Sequence, residues 1–158
     1  MKNGLRVGIV GIVTDYVNIW EKEENLKGIH ITDPFEAAKN ALAQMKEQTD
    51  LTICIYHGGF ECDLESGETL SQTTENVGYR ICKELDFDIL LTGHQHMSVP
   101  GRDISGTYTV QPCDNAKEYQ YLEVTMTDHE KSIRSELRQS DAAKGTVLAD
   151  KYLSLIHI

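Results

Sequence analysis

"DILLTGHQHMS", Asp88 to Ser98, is the stretch on which the reading of this chain turns. Asp88 to Leu91 has the length and apolar character of a buried strand, and the chain then presents Gly93, His94, Gln95 and His96. Two histidines one residue apart at a strand end can point at neighbouring metal positions, and neutral imidazole is a common ligand for zinc, manganese and iron. Gly93 lets the backbone turn tightly there. The competing reading is a loop with two solvated histidines. A metal needs more than two ligands, so the rest of the chain has to be read for companions.

The strand before this one supplies a companion. Asp50 to Tyr56 (DLTICIY) is apolar and ends at His57-Gly58-Gly59. Taken alone, His57 is equally a strand-end histidine bonded to a backbone carbonyl. Leu5 to Val13 (LRVGIVGIV) reads as a central strand. The polar segment Thr14 to His30, with "NIWEKEEN", is long for a plain loop and is expected to pack against or line something. A helix is expected from Asp33 as N-cap, with Pro34 first, Glu36 third and an apolar face of Phe35, Ala38, Leu42 and Met45. A second helix is expected over Thr73 to Leu85, capped by Thr73 and striped by Val77, Ile81 and Leu85. After Pro100, "TYTVQP", "YQYLEVTMTD" and "SIRSEL" alternate apolar with polar and read as antiparallel strands.

The order is strand–helix–strand–helix–strand followed by antiparallel strands, an α/β (α+β layered) fold with right-handed crossovers. In such sheets functional residues gather beyond the carboxyl ends of the strands. His57 and the His94/His96 pair both follow strands, so adjacent parallel pairing would bring all three together.

Composition narrows the function. The length of 158 residues suits about one domain, and a net charge of −10 argues against binding a nucleic-acid polymer. Small phosphate substrates remain open, because a metal supplies local positive charge. No run has the length of a membrane-spanning helix. The apolar N-terminal run lacks a small-residue cleavage site, so no signal peptide is expected. The four cysteines, at 54, 62, 82 and 113, form no C-x-x-C pair. Cys54 and Cys82 fall on apolar faces as buried thiols, and the unpatterned set suits a reducing, cytoplasmic compartment. Leu153 to Ile158 (LSLIHI) matches the translation of a transposon end used in sequencing libraries, and is set aside as an artefact together with His157.

Other residues are weighed individually. His30 precedes the Asp33 cap and reads as structural, and His129 in "TDHEK" reads as solvated. Trp20 is either a packing residue or a substrate-facing ring. Glu61, Asp63 and Glu65 could hold an imidazole by its distal N–H or simply be solvated. Asn76 is similarly open, and Asp114 and Asn115 look like turn formers. A non-catalytic binding domain would need a glycine-rich phosphate loop opening a helix, and "VGIVGIV" is not followed by one.

"VGIVGIVTDY", "NIWE", "YHGGFE", "ENVGYRICKE", "DILLTGHQH" and "VQP" together resemble the bacterial 5′-nucleotidase and 2′,3′-cyclic-nucleotide 2′-phosphodiesterase proteins, calcineurin-like metallophosphoesterases, from about Leu5 to Thr127. The resemblance implies a four-layer α-β-β-α fold and two divalent ions, zinc, manganese or iron. His57 and His94 would ligate one ion and His96 the other; Asn76 and Glu61 stay weaker substrate or supporting candidates read from the residues alone. It implies hydrolysis of nucleotide phosphate esters, or of another small phosphate ester, by attack of a metal-bound hydroxide on phosphorus. It also allows an exported protein, against the cysteine argument. The family's Asp-x-His, Gly-Asp and Gly-Asn-His motifs do not occur in this sequence. The expectation is therefore that residues 1–152 are the C-terminal portion of a catalytic domain, without its N-terminal half, and carry no catalytic residue of their own. Alone, such a chain would be an inactive half-domain with at most weak binding of a single metal ion and an unpaired sheet edge. Oligomeric state is left open.

Overall fold

The computed structural model describes residues 4–127 and 131–140. His129, His157 and the Leu153–Ile158 segment lie outside the described residues. The elements, in order, are β1 (Val7–Val13), α1 (Val17–Trp20), α2 (Pro34–Met45), a 3₁₀ turn at Lys46–Gln48, β2 (Leu51–His57), α3 (Gly78–Glu84), β3 (Ile89–Leu91), β4 (Val99–Ile104), β5 (Thr107–Gln111), β6 (Glu118–Met126) and β7 (Lys131–Gln139).

A five-stranded sheet runs β1-β2-β3-β5-β4, and β6 and β7 form a separate two-stranded ribbon. β1, β2, β3 and β5 are mutually parallel, and β4 pairs with β5 antiparallel. The mixed α/β layering expected from the sequence is present. The strand β4, "VPGRDI", is not evident from periodicity: Pro100 and Gly101 interrupt it. It forms because it is an edge strand, where a missing N–H is tolerated, and its register shifts between Val99 and Arg102. "TYTVQ" was expected as antiparallel. It is antiparallel to β4 but parallel to β3, so it serves as the hinge between the two pairing modes.

The core lies between the sheet and helices α2 and α3. Phe35, Ala38 and Leu42 from α2, Ile81 and Cys82 from α3, Cys54 and Tyr56 from β2, and Leu90 from β3 are all buried in one cluster. Helix α2 starts as expected: Asp33 accepts from the N–H groups of Phe35 (2.8 Å) and Glu36 (3.1 Å), and Pro34 occupies the first turn. Cys54 and Cys82 are buried free thiols, and burial pushes each up to about 12, which keeps both protonated and unreactive. The strand starts are tied by Asp88, which accepts from the N–H (2.7 Å) and hydroxyl (3.0 Å) of Thr52 and pairs with Lys131 at 2.5 Å.

Two expectations need correction. The second helix begins at Gly78 rather than just after Thr73, for reasons that emerge at the site below. β1 is an edge of the described sheet rather than a central strand. Its one face is covered by α2, with Gly8 close against Met45, but on the other face Val7 and Ile9 are 43% and 60% exposed, as is Ile55 of β2 at 46%. A seven-residue apolar edge with no charge or proline is a template for further strand pairing. Ile9→Lys should therefore leave unfolding free energy within about 0.5 kcal/mol of the parent chain and reduce light scattering at high concentration. Unchanged scattering would show that this edge does not drive association.

Candidate metal centre

The parallel pairing of β1, β2 and β3 places their carboxyl ends side by side. Thr14, just past β1, donates its N–H to His57 O (3.1 Å), and Gly93, past β3, donates to Gly58 O (3.2 Å). The "HGGF" and "GHQH" loops are further joined by Gln95. Its Oε1 accepts from Phe60 N–H (2.8 Å) and its Nε2 donates to Phe60 O (2.9 Å). The approach is so close that a Cβ on Gly59 would stand 2.1 Å from Gln95 Oε1. Nothing in the sequence pattern distinguished Gln95 from any polar loop residue; its role depends on a partner 35 positions away.

Three histidines meet at this edge. His57 and His94 have ring centroids 5.4 Å apart at 60°, and His57, His94 and His96 line one cavity of about 470 Å³ with Val17, Trp20 and Glu21. Trp20, whose role the sequence left open, faces His94 with ring centroids 5.1 Å apart and is itself 51% exposed. The long segment after β1 thus does line something. It is closed by Asn18, whose side chain bonds both the carbonyl (2.8 Å) and the N–H (3.3 Å) of Ile31. His30, expected to be structural, is exposed and lies away from this cavity, beside Ile12 and Pro34.

His94 and His96 both adopt left-handed backbone, with φ of 70° and 54°. Glycine is the usual solution at such positions, and a side chain there carries strain of about 1 kcal/mol or more. Ser105, Asn115 and Ala116 share this backbone region, but of these five only His94 and His96 line the cavity with His57. Gln111 supports the exit of the loop: fully buried, it donates Nε2 to Met97 O at 2.9 Å.

The weaker candidates have definite places. Asn76 is buried and its Oδ1 accepts from Gly59 N–H at 2.6 Å, so it braces the His57 loop from behind. Glu61 accepts from Tyr79 N–H (3.0 Å) and Arg80 N–H (2.7 Å), the first turn of α3. Its carboxylate caps a helix rather than an imidazole among the described hydrogen bonds. Burial pushes the Glu61 carboxyl up, and the backbone N–H groups draw it partly back. Glu75, which sequence reasoning passed over, holds His94: Oε1 lies 2.9 Å from Nε2. These contacts explain the late start of α3. Residues 75 and 76 are spent on His94 and Gly59, Gly78 packs so tightly that a Cβ would meet Gly59 O at 2.6 Å, and Glu61 supplies the cap that Val77 lacks.

The donor set fits a divalent ion in part. His57 is held below its ordinary value by burial and by the charges His94 and His96 would carry, so its imidazole stays neutral with a free lone pair at neutral pH. Two imidazoles on one tetrahedral ion, with metal–nitrogen bonds of about 2.0–2.1 Å, have ring centres about 5 Å apart. The 5.4 Å spacing suits that arrangement. Among the described residues, however, no group of three or more His, Cys, Asp or Glu side chains closes around one point. The three histidines that share the cavity could supply part of a coordination shell.

Comparison with known proteins agrees with this architecture. No protein-family model matches the chain. A solved Staphylococcus aureus protein assigned as a 5′-nucleotidase, crystallised with α-ketoglutarate, superposes with a TM-score of 0.84 at 29% identity over 98% of this chain and 32% of its own. The 2′,3′-cyclic-nucleotide 2′-phosphodiesterase/3′-nucleotidase of Salmonella typhimurium is 29% identical over 103 residues, 64% of this chain and 15% of that protein. A trifunctional nucleotide phosphoesterase of Bacillus subtilis is 30% identical over 105 residues, 65% of this chain and 7% of that protein. The chain shares the fold of that solved protein and is similar in sequence to these nucleotide phosphoesterases. The similarity is to the 5′-nucleotidase and cyclic-nucleotide phosphodiesterase group. The chain spans less than a fifth of these curated relatives and about a third of the solved one.

Gln95→Ala should destabilise the chain by about 2 kcal/mol, because two partly buried backbone groups of Phe60 lose their partners. Gln95→Glu sharpens the test. A carboxylate cannot donate to Phe60 O, and protonation restores that donor, so the folded-state pKa of the introduced group is raised. Its stabilisation is then complete below about pH 4 and lost as pH rises. Denaturant melts at pH 4 and pH 7 should show the deficit of Gln95→Glu growing with pH. A deficit independent of pH would rule out the clamp.

Proposed function

We propose that this chain is part of a metal-dependent phosphoesterase that hydrolyses nucleotide phosphate esters, with His57 and His94 serving one divalent ion and His96 a second. The observation that carries the reading is the convergence of three imidazoles on one cavity from two clamped strand ends, two of them on strained backbone. The nucleotide phosphoesterases among its relatives supply the substrate class. When bound, paired ions polarise phosphoryl oxygens and make a bound water a nucleophile at neutral pH. This chain's own residues hold and orient: His57 presents a neutral nitrogen, Glu75 and Trp20 fix the His94 ring, and Gln95 and Asn76 hold the two loops in register.

On this reading the chain by itself is an incomplete site. Three imidazoles without a bridging carboxylate do not hold two ions about 3.5–4 Å apart as two-metal chemistry requires. The identity of the metal follows from the missing ligands, since imidazole accepts zinc, manganese and iron alike. Compartment is part of the same proposal: four free thiols favour a reducing one.

Two measurements bear on this. In a longer protein containing this sequence, His94→Ala should lower metal-dependent hydrolysis of a nucleotide ester by more than about 100-fold, exceeding the usual effect of losing an outer-shell partner. Activity within a few-fold of the parent would sink the ligand assignment. The 158-residue chain should show no turnover of a chromogenic phosphodiester with Mn²⁺ or Zn²⁺ above buffer. Measurable turnover there, abolished by His94→Ala, would refute the half-site description.

A further inference from the structure

We infer that Glu75 is a positioning residue for His94, fixing its ring and tautomer so that Nδ1 is the nitrogen left for a metal ion; this rests on the metal-centre reading above. At the 2.9 Å contact a carboxylate oxygen faces Nε2, and because an ionised carboxylate only accepts, the pairing is made by an Nε2–H donor. A neutral imidazole carries one proton, and placing it on Nε2 leaves the lone pair on Nδ1. The Nε2–H tautomer is therefore set by the protein and not by solvent.

The hold is built from several sides. Glu75 is 31% and His94 20% exposed at the side chain, so water competes only partly for the contact. Residue 75 is pinned through its backbone, because Tyr56 donates its buried hydroxyl to Glu75 O at 3.1 Å. The next residue, Asn76, is fixed to Gly59. Trp20 lies beside the His94 ring at 5.1 Å, tilted by 31°, and His57 meets it edge-on. The ring thus has a carboxylate at one nitrogen and aromatic neighbours around it. Rotation about χ2 would break the Glu75 bond.

The arrangement also explains why residues 74–77 stay out of helix α3. A helix starting at Thr73 would carry Glu75 in its first turn and remove it from the strand-end loops. Thr74 instead donates its hydroxyl to Asp15 (3.1 Å), tying this segment to the loop that carries Trp20. The same short segment therefore holds Glu75 against His94 and ties to the turn that precedes the helix carrying Trp20.

Two readouts other than turnover test this on the 158-residue chain. In a ¹⁵N-labelled sample at pH 8, His94, assigned by the signals lost in His94→Ala, should appear as a single Nε2–H tautomer with a downfield, exchange-protected proton. Glu75→Ala should abolish the protected proton and give mixed tautomers, and Glu75→Gln, whose amide oxygen still accepts, should restore it. An His94 signature unchanged in Glu75→Ala would overturn the inference. A merely structural glutamate would not produce rescue by glutamine together with an unchanged circular dichroism spectrum.

The second readout uses Trp20, the single tryptophan of the chain, which sits against His94. Co²⁺ should quench its fluorescence saturably, and Glu75→Ala should weaken the apparent affinity about 10-fold or more. Saturable quenching lost in His94→Ala but unmoved by Glu75→Ala would uphold the metal centre and overturn the role of Glu75. A protected Nε2–H without saturable quenching, even at millimolar Co²⁺, would uphold Glu75's hold on the ring and overturn the binding of a single ion by this chain alone.

Discussion

The side-chain amide of Gln95 meets the backbone of Phe60 with both of its polar atoms, and the candidate site depends on that one pairing. It joins the loop after β3 to the loop after β2 much as a short stretch of sheet would, after the strands themselves have ended. The bond demands close approach, and close approach demands glycine. Gly59 lies under Gln95, and Gly78 lies against Gly59 O. With those loops fixed, the rings of His57 and His94 are brought to 5.4 Å although they stand 37 positions apart in the chain. A Cβ at Gly59 would meet the Gln95 amide, and one at Gly78 would meet Gly59 O.

The segment before α3 shows a conflict between local and tertiary preference. Thr73 and the following residues could cap and begin a helix on sequence grounds. In the fold each is used elsewhere: Thr74 on Asp15, Glu75 on His94, Asn76 on Gly59. The helix loses its early turns and its own cap, and Glu61 offsets this from 18 positions upstream by accepting from Tyr79 N–H. Glu61 is drawn into a buried place for that purpose, and this is why burial raises its pKa. Positioning the site and starting the helix are one structural decision.

What was legible in the sequence follows the same division. Hydrophobic periodicity showed β1, β2, β3 and α2, and the Asp33-Pro34 signal placed the start of α2, because those features rest on nearby residues. Glycine beside histidine at two strand ends marked where chemistry would gather. The roles of Gln95, Glu75 and Gln111 were not legible. Each acts on a partner between 14 and 35 residues away, and no local pattern separates such residues from ordinary polar loop positions. β4 was missed because Pro100 and Gly101 break the alternation that would reveal it. The left-handed backbone at His94 and His96 was hidden for a related reason, since only glycine announces a positive φ in sequence.

Two shortages in the described structure fall on the same face of the sheet. Register pairs Gly11 with Ile55 and Val13 with His57, and side chains alternate along a strand. His57 therefore shares its face with Ile55, and Ile9 of β1 lies on that face too. This is the face left apolar and exposed. Among the described residues no group of three or more ligating side chains closes around one point, and the apolar side chains beside His57 are exposed. On the proposed reading these are not independent. A protein segment bringing carboxylates to His57 and His94 would have to lie along that face, where it would also remove Ile9 and Ile55 from water. Burial of the apolar patch would then supply favourable free energy, roughly 25 cal/mol per Å², towards ordering the ligands. The metal centre and the completion of the core would form together.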